Sequence, residues 1–275
     1  MLRRIWPILI ALRSTAPFPV SRTRRIATYC RLCAKHALMQ LSLIRPSQER
    51  LFGYSLSFRD YASFIVMYEE IFMALEYHFI ASTPAPLIID AGSNIGMAAL
   101  FFTMLYPRSR IICFEPSHSS YAYLQNNIAR NRLANVTAYR VALDRESDRE
   151  LQLFSAGETS LMASIRPERN KDSATAESVR TATLSSYITE AVELLKLDIE
   201  GNEHSVAEDL AARGAWKHVR QTIIEYHHHI SAGDDRLAVF LAGLEETGFR
   251  YQIHATLRPP FVKDRFQNIL IFAYR

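Results

Sequence analysis

The chain has 275 residues, of which 49% are hydrophobic, and its mean hydropathy of −0.04 is typical of a soluble globular protein. No apolar run reaches the roughly 18 residues that a membrane-spanning helix requires. Three cysteines are too few for a disulfide framework, so we expect a protein of the reducing cytoplasm.

The net charge of +4 is unevenly distributed along the chain. Residues 1–48 contain nine Lys or Arg and no acid, which leaves 23 basic residues against 28 acidic ones in the remainder. The high isoelectric point therefore belongs to this segment, and we predict no nucleic-acid partner. We predict a basic N-terminal arm at 1–50, partly helical or mobile, dispensable for chemistry and able to contact anionic lipid at the inner membrane surface. The same composition is also found in transit peptides.

Residues 51–85 are predicted to form a helical lead-in. Apolar residues recur at helical spacing from Tyr61 to Phe79, and Pro84 and Pro86 end the pattern.

Strand and helix patterns alternate over 86–275, the predicted main domain. The predicted helices are Ile95–Leu105, His118–Asn131, Glu203–Arg213 and Arg236–Thr247. The predicted strands are Leu87–Asp90, Arg110–Phe114, Val136–Arg140, Val179–Thr183, Leu194–Asp198, Thr222–Tyr226 and Asn268–Tyr274, and Glu150–Phe154 is a candidate hairpin arm. This alternation predicts an α/β fold with a doubly wound, mostly parallel sheet, whose ligand lies beyond the carboxyl ends of the strands.

A glycine loop follows the first strand and reads Asp90-Ala-Gly-Ser-Asn-Ile-Gly96. It has two glycines behind an acid, whereas a dinucleotide-binding loop has three. A loop led by a carboxylate suits a ligand that carries an ammonium group. The alternative is a purely structural turn.

An acid also follows the second strand, in Phe-Glu115-Pro. A carboxylate at this place can accept hydrogen bonds from the hydroxyls of a ribose, as in nucleotide sites with similar spacing from the glycine loop.

Asp198, Glu200 and Glu203 follow the apolar strand that contains Lys196, and the helix dipole alone could explain Glu203. A further strand leads into His227-His-His229. Adjacent residues of a strand point in opposite directions, so the three imidazoles cannot share one ion, and we assign no metal.

Several functions remain open for these residues. A nicotinamide-dependent oxidoreductase would use a similar sheet but lacks the third glycine here. A divalent-metal-dependent hydrolase could use the acids and histidines, and a non-catalytic nucleotide-binding module could keep the fold alone.

The motifs together resemble the FkbM-like methyltransferases from about Gly53 onward. The resemblance rests on six segments, which are Asp90–Gly96, Phe114–Pro116, Asn126–Ile128 with Asn131, Ala142-Leu143, Leu195–Glu203 and Ile224–His227. Asn202 stands where a small residue is common in that family.

The resemblance implies a seven-stranded class I methyltransferase sheet with an N-terminal helical extension. It implies S-adenosylmethionine as cofactor and a small-molecule, sugar or lipid-linked acceptor methylated on a hydroxyl. The expected cofactor-binding residues are Asp90, Gly92, Asn94, Gly96, Glu115, Ala142 and Leu143. As the base that takes the hydroxyl proton we expect Asp198 first, then His227, then Glu200.

Overall fold

The computed structural model describes residues 5–156, 163–166, 168, 174–230, 236–255, 262 and 265–275. Its centre is a seven-stranded sheet with the strand order β11-β12-β10-β9-β3-β4-β5. These strands are β3 (Leu87–Ala91), β4 (Arg110–Phe114), β5 (Val136–Tyr139), β9 (Val192–Leu197), β10 (Val219–His228), β11 (Arg250–Ala255) and β12 (Gln267–Tyr274).

The sheet is doubly wound, as predicted. From β3, the next strands on one side of the sheet are β4 and β5, and those on the other side are β9 and β10. All five strands are parallel. β12 lies antiparallel between β10 and β11. The order therefore reverses between β3 and β9, where a crevice opens at the carboxyl ends of parallel strands.

Helices cover both faces of the sheet and bury two apolar cores. One core includes α4 (Met97–Leu105) and α5 (His118–Arg130) with the N-terminal helices, and the other includes α6 (Glu203–Ala212) and α7 (Leu237–Glu246). Ser117 caps α5 by accepting the Ser120 amide.

A second sheet flanks the crevice, with β8 (Ala174–Ala182) between β6 (Ala142–Leu143) and β7 (Glu150–Ala156). The hairpin arm predicted at Glu150–Phe154 is confirmed, since β7 pairs antiparallel with β8. The predicted strand Val179–Thr183 belongs to this sheet and not to the main one, where β11 supplies the seventh strand.

The N-terminal arm packs against the body of the protein. α1 (Trp6–Arg13) and α2 (Arg22–Gln40) contact the lead-in, which consists of the hairpin β1 (Gln48–Leu51) and β2 (Tyr54–Ser57), helix α3 (Tyr61–Tyr68) and a π-helical turn (Glu69–Ala74). Buried Arg25 donates to the Phe72 carbonyl, and Tyr29 donates to Glu69 at 2.6 Å. The arm therefore supports the π-helical turn, which argues against its predicted dispensability.

The lead-in helix is shorter than the sequence pattern predicts. The left-handed Leu75 ends the π-helical turn, four residues before Phe79. None of the helices in the described part of the chain combines the length and apolar character needed to cross a membrane.

Candidate active site

A cleft opens at the carboxyl ends of β3 and β9, where the strand order reverses. Its wall includes the loop after β3, the end of β4, β6, the segment after β9 and the π-helical turn. Among the residues expected at the site, Gly92, Asn94, Glu115, Ala142, Leu143, Asp198 and Glu200 line it. Asp90, Gly96 and His227 are not among the described residues of its wall.

Gly92 is required by the backbone that faces it. Its φ is +87°, and a Cβ at this position would lie 1.7 Å from the Asp198 carbonyl oxygen. The loop after β3 therefore passes too close to the segment after β9 for any side chain. Gly96 begins α4 in the same left-handed conformation, with a φ of 87°.

Lys196 joins this loop to the centre of the sheet. Its buried ammonium lies 3.2 Å from Asp90 and 3.4 Å from Asp198, and it donates to the Gly92 carbonyl at 2.9 Å. Burial lowers the pKa of Lys196, but the charges of Asp90 and Asp198 outweigh burial and raise it overall. Asp90 therefore orients the loop through Lys196.

Glu115 holds the same loop from the β4 side. One carboxylate oxygen accepts the Asn94 amide at 2.8 Å, and the other accepts the Ser117 amide at 2.9 Å. Burial raises the pKa of Glu115 to about 7, although these two backbone hydrogen bonds act in the opposite direction. Each carboxylate oxygen keeps a second lone pair that a ligand hydroxyl can use.

An apolar wall lies beside Glu115, formed by Phe114, Val141, Ala142 and Leu143. Asn202 reaches this wall from the segment after β9 and donates to the Leu143 carbonyl at 2.7 Å. The residue that departs from the usual family pattern therefore links the acidic segment to β6.

Asp198 and Glu200 place their carboxylates at the other side of the cleft, with side chains 21% and 19% exposed. Tyr77 donates to Asp198 at 3.4 Å. Both carboxylates can therefore contact a molecule in the cleft and accept a proton from it.

His227 lies behind these carboxylates with its side chain fully buried. Its Nδ1 is 2.9 Å from Glu203, and its Nε2 is 3.2 Å from Glu200. Burial lowers the pKa of His227, but the Glu203 and Glu200 charges outweigh burial and hold it well above its ordinary value. His227 therefore lies beside Glu200 and does not itself open onto the cleft.

Further carboxyl groups surround this side of the cleft. Burial, with the neighbouring charge of Glu76, raises the pKa of Glu70 to about 9. Burial and Asp198 raise the pKa of Glu225 to about 8, against the effect of His227. The acidic side is thus crowded enough that some of its carboxyl groups retain protons at neutral pH.

The roles of Lys196, Glu70 and Asn127 were not predicted from the sequence. A lysine inside the apolar strand Val192–Leu197 was the available signal for Lys196, because a buried ammonium needs carboxylate partners. Glu70 is placed by the π-helical turn, which has no sequence signature. Asn127 contacts residues 32 and 70 positions away, so its partners could not be predicted locally.

The chain is similar in sequence to known methyltransferases. The chain is 28% identical over 234 residues to Methyltransferase 1 of Beauveria bassiana, covering 76% of this chain and 89% of that protein. It is 28% identical to the 2-O-methyltransferase NoeI of Sinorhizobium fredii, covering 60% of this chain and 71% of that one. A solved structure, methyltransferase FkbM of Methylobacillus flagellatus, aligns with a TM-score of 0.47 and 15% identity over 77% of this chain and 53% of that chain.

The family model described as the methyltransferase FkbM domain matches residues 90–251, from the acid that begins the glycine loop to β11. The matched segment is more than half of the chain and contains most of the cleft wall. The resemblance noted in the sequence is confirmed, and the chain belongs to the FkbM methyltransferase family.

Proposed function

We propose that this protein transfers a methyl group from S-adenosylmethionine to a hydroxyl group of a small molecule, a sugar or a lipid-linked glycan. The observation that carries the proposal is the two-sided cleft at the reversal of strand order. One side has the glycine loop, Glu115 and an apolar wall, whereas the other has the paired carboxylates Asp198 and Glu200. The relative named as a 2-O-methyltransferase supports a hydroxyl acceptor.

The side of the cleft with the glycine loop, Glu115 and the apolar wall has groups that suit S-adenosylmethionine. Ala142, Leu143 and Phe114 would contact the adenine, Glu115 would accept the ribose hydroxyls, and the backbone from Gly92 to Asn94 would hold the amino-acid part. When bound, the cofactor supplies an electrophilic methyl group on a sulfonium. The loop is already fixed by Lys196 and Glu115, so little ordering is needed on binding.

Asp198 is the residue that we propose to take the proton of the acceptor hydroxyl. It faces the cleft at the end of β9, and Tyr77 and Lys196 fix its carboxylate. His227 is too buried for this role. Alignment of the acceptor and exclusion of water supply the rest of the rate.

The experiment offers the purified chain deuterated S-adenosylmethionine with a pool of hydroxylated acceptors and identifies labelled products by mass spectrometry. Asp198→Asn should lower turnover by about 10², the usual contribution of a general base, and change cofactor affinity only a few-fold. Asp148→Asn, whose side chain is 82% exposed, is the matched control and should keep full turnover. Label on nitrogen or carbon would contradict the hydroxyl acceptor, and a parallel loss of cofactor binding would contradict the base.

We also propose that α1 contacts anionic membranes. Ile5, Trp6, Leu9 and Leu12 are 41–60% exposed and recur at helical spacing along it. Arg22 and Arg24 at the start of α2 are exposed as well. An apolar helix face beside cations is typical of interfacial helices.

A further inference from the structure

The triad of Asp198, Glu200 and His227 brings three ligand atoms within 4.8 Å of one another. We propose that this triad binds one divalent metal ion at the acidic side of the cleft. Acidic clusters alone do not establish a metal site, but the buried imidazole of His227 adds an independent observation.

The hydrogen bonding of His227 fixes which of its nitrogens faces the triad. Glu203 accepts the amides of Ile199 and Gly201, so its Oε1 is an acceptor, and Nδ1 of His227 must carry the proton at 2.9 Å. A carboxylate that orients an imidazole in this way is the usual outer partner of a metal-binding histidine. The Nε2 atom is then left to face Glu200.

Nε2 of His227 is buried and makes no hydrogen bond with any residue that the structure describes. Its neighbour is the Glu200 carboxylate oxygen at 3.2 Å. Two acceptor atoms at this distance repel each other unless a proton or a cation lies between them.

The separation of these two atoms suits a shared ion. Two ligand atoms about 2.1 Å from a metal lie about 3.0 Å apart at an octahedral angle and about 3.4 Å apart at a tetrahedral angle. The observed 3.2 Å lies between these values. Glu200 and His227 can therefore bind the same ion without rearrangement of the backbone.

The carboxyl groups around the triad favour a divalent cation over a single proton, because a charge of +2 would let the protonated ones among them ionise, whereas one shared proton would not. Glu225 lies 4.0 Å from Nε2 of His227, and Glu70 faces the same cleft. The ammonium of Lys196 lies 3.4 Å from Asp198, and it is shared between Asp198 and Asp90. Two carboxylates and one imidazole form a donor set suited to Mn²⁺, Zn²⁺ or Fe²⁺, and less to Ca²⁺.

An ion held by the triad would border the cleft and lower the pKa of an acceptor hydroxyl that approaches it. One oxygen of Asp198 would hold the ion, and its other oxygen would still take the proton. This use of the ion rests on the proposed function, whereas the existence of the site does not. The test therefore measures binding in the absence of any methyl acceptor.

The experiment titrates the full-length protein with Mn²⁺ and follows free ion by electron paramagnetic resonance. We expect one ion per chain, and we expect Glu200→Gln to weaken its binding at least about tenfold. Pulsed measurements should show coupling of the bound ion to ¹⁴N, and this coupling should disappear in His227→Gln. His228→Gln, on the opposite face of β10, and Glu208→Gln, on α6, are the controls and should bind as the wild type does.

Three results would overturn the site. These are no binding of Mn²⁺ by the folded protein, binding without nitrogen coupling, and binding that Glu200→Gln leaves unchanged. In each case a proton shared between His227 and Glu200 would account for the short contact. Methyl transfer that survives chelation would then leave the proposed function intact, whereas ion binding without methyl transfer would support the site alone.

Discussion

Glu115 connects the glycine loop to the proposed cofactor through one charged group. Its pKa of about 7 exceeds the ordinary 4.5 because the carboxyl is buried. The folded protein therefore holds this proton more tightly than the unfolded chain does. The contribution of Glu115 to stability is present below pH 4.5 and is lost as pH rises toward about 7.

Ligand binding should show the opposite dependence on pH. The ionised carboxylate accepts hydroxyl donors best, so affinity for S-adenosylhomocysteine should fall as pH drops below about 7. In Glu115→Gln we expect an affinity about tenfold lower at alkaline pH and a loss of this pH dependence. Calorimetry at several pH values tests both expectations.

An analogue that lacks both ribose hydroxyls is the control for this prediction. If Glu115 accepts the hydroxyls, the analogue should bind the wild type and Glu115→Gln with similar affinity. A full tenfold loss for the analogue would place the ribose elsewhere and leave Glu115 as a support of the loop.

For some residues the sequence predicted the position in the fold, and for others it missed the contacts that explain their role. Glu115, Asn94, Ala142 and Leu143 were predicted to bind the cofactor, and the structure places them in the wall of the cleft, whereas their contact with a cofactor stays a prediction. The role of Gly92 was incomplete, since the Asp198 backbone that excludes its side chain comes from a distant segment. Replacement of Gly92 would therefore distort the loop and cannot serve as a clean test of cofactor binding.

At the scale of elements, Asn127 joins three of them. From α5 it accepts the Ser57 amide and donates to the Ser57 carbonyl, and it also donates to the Ile95 carbonyl in the glycine loop. The Asn127 side chain thus satisfies the backbone amide and carbonyl of Ser57 in β2, as a neighbouring strand would, and also holds the glycine loop through Ile95.

Asn127→Ala should lower the free energy of unfolding by about 1–3 kcal/mol, because buried backbone groups would lose their partners. The adjacent Asn126 is exposed and bonds only the Ser57 hydroxyl among the contacts that the structure describes, so Asn126→Ala should cost about 0.5 kcal/mol or less. Urea denaturation of both variants gives the comparison. Equal losses would contradict the asymmetric role of the two asparagines.

The strands of the main sheet could be predicted where apolar residues run together, as in Val192–Leu197. β11 was missed because most of its residues are exposed at the sheet edge and its pattern is polar. Val179–Thr183 was recognised as a strand, but strand pairing depends on the hairpin with β7, which periodicity does not reveal. The π-helical turn was predicted as ordinary helix, because the spacing of apolar residues does not distinguish the two.

At the scale of the whole molecule, the N-terminal arm has two faces with different tasks. Arg25 and Tyr29 face the π-helical turn, and Arg31 and Lys35 pair with buried Glu49. Arg25, Arg31 and Lys35 bind groups of the protein itself, so we assign the proposed membrane contact to the exposed face of α1 and the remaining arginines.

Trp6 can report this contact directly. It is 60% exposed, whereas Trp216, the other tryptophan of the chain, is 3% exposed. Adding vesicles that contain phosphatidylserine should shift the emission to shorter wavelength, and salt should weaken the shift. Trp6→Phe should remove the shift, and neutral phosphatidylcholine vesicles should produce little. An unchanged emission with anionic vesicles would contradict the membrane contact.

We propose that the cleft between β3 and β9 binds S-adenosylmethionine, and calorimetric titration measures this binding. The wild type should bind S-adenosylmethionine and S-adenosylhomocysteine at one site per chain and should not bind NAD. Val141→Trp should abolish binding by filling the apolar wall, whereas Val239→Trp, at a 62% exposed position on α7, should bind normally. Absence of binding to the wild type, or unchanged binding to a folded Val141→Trp protein, would contradict the account.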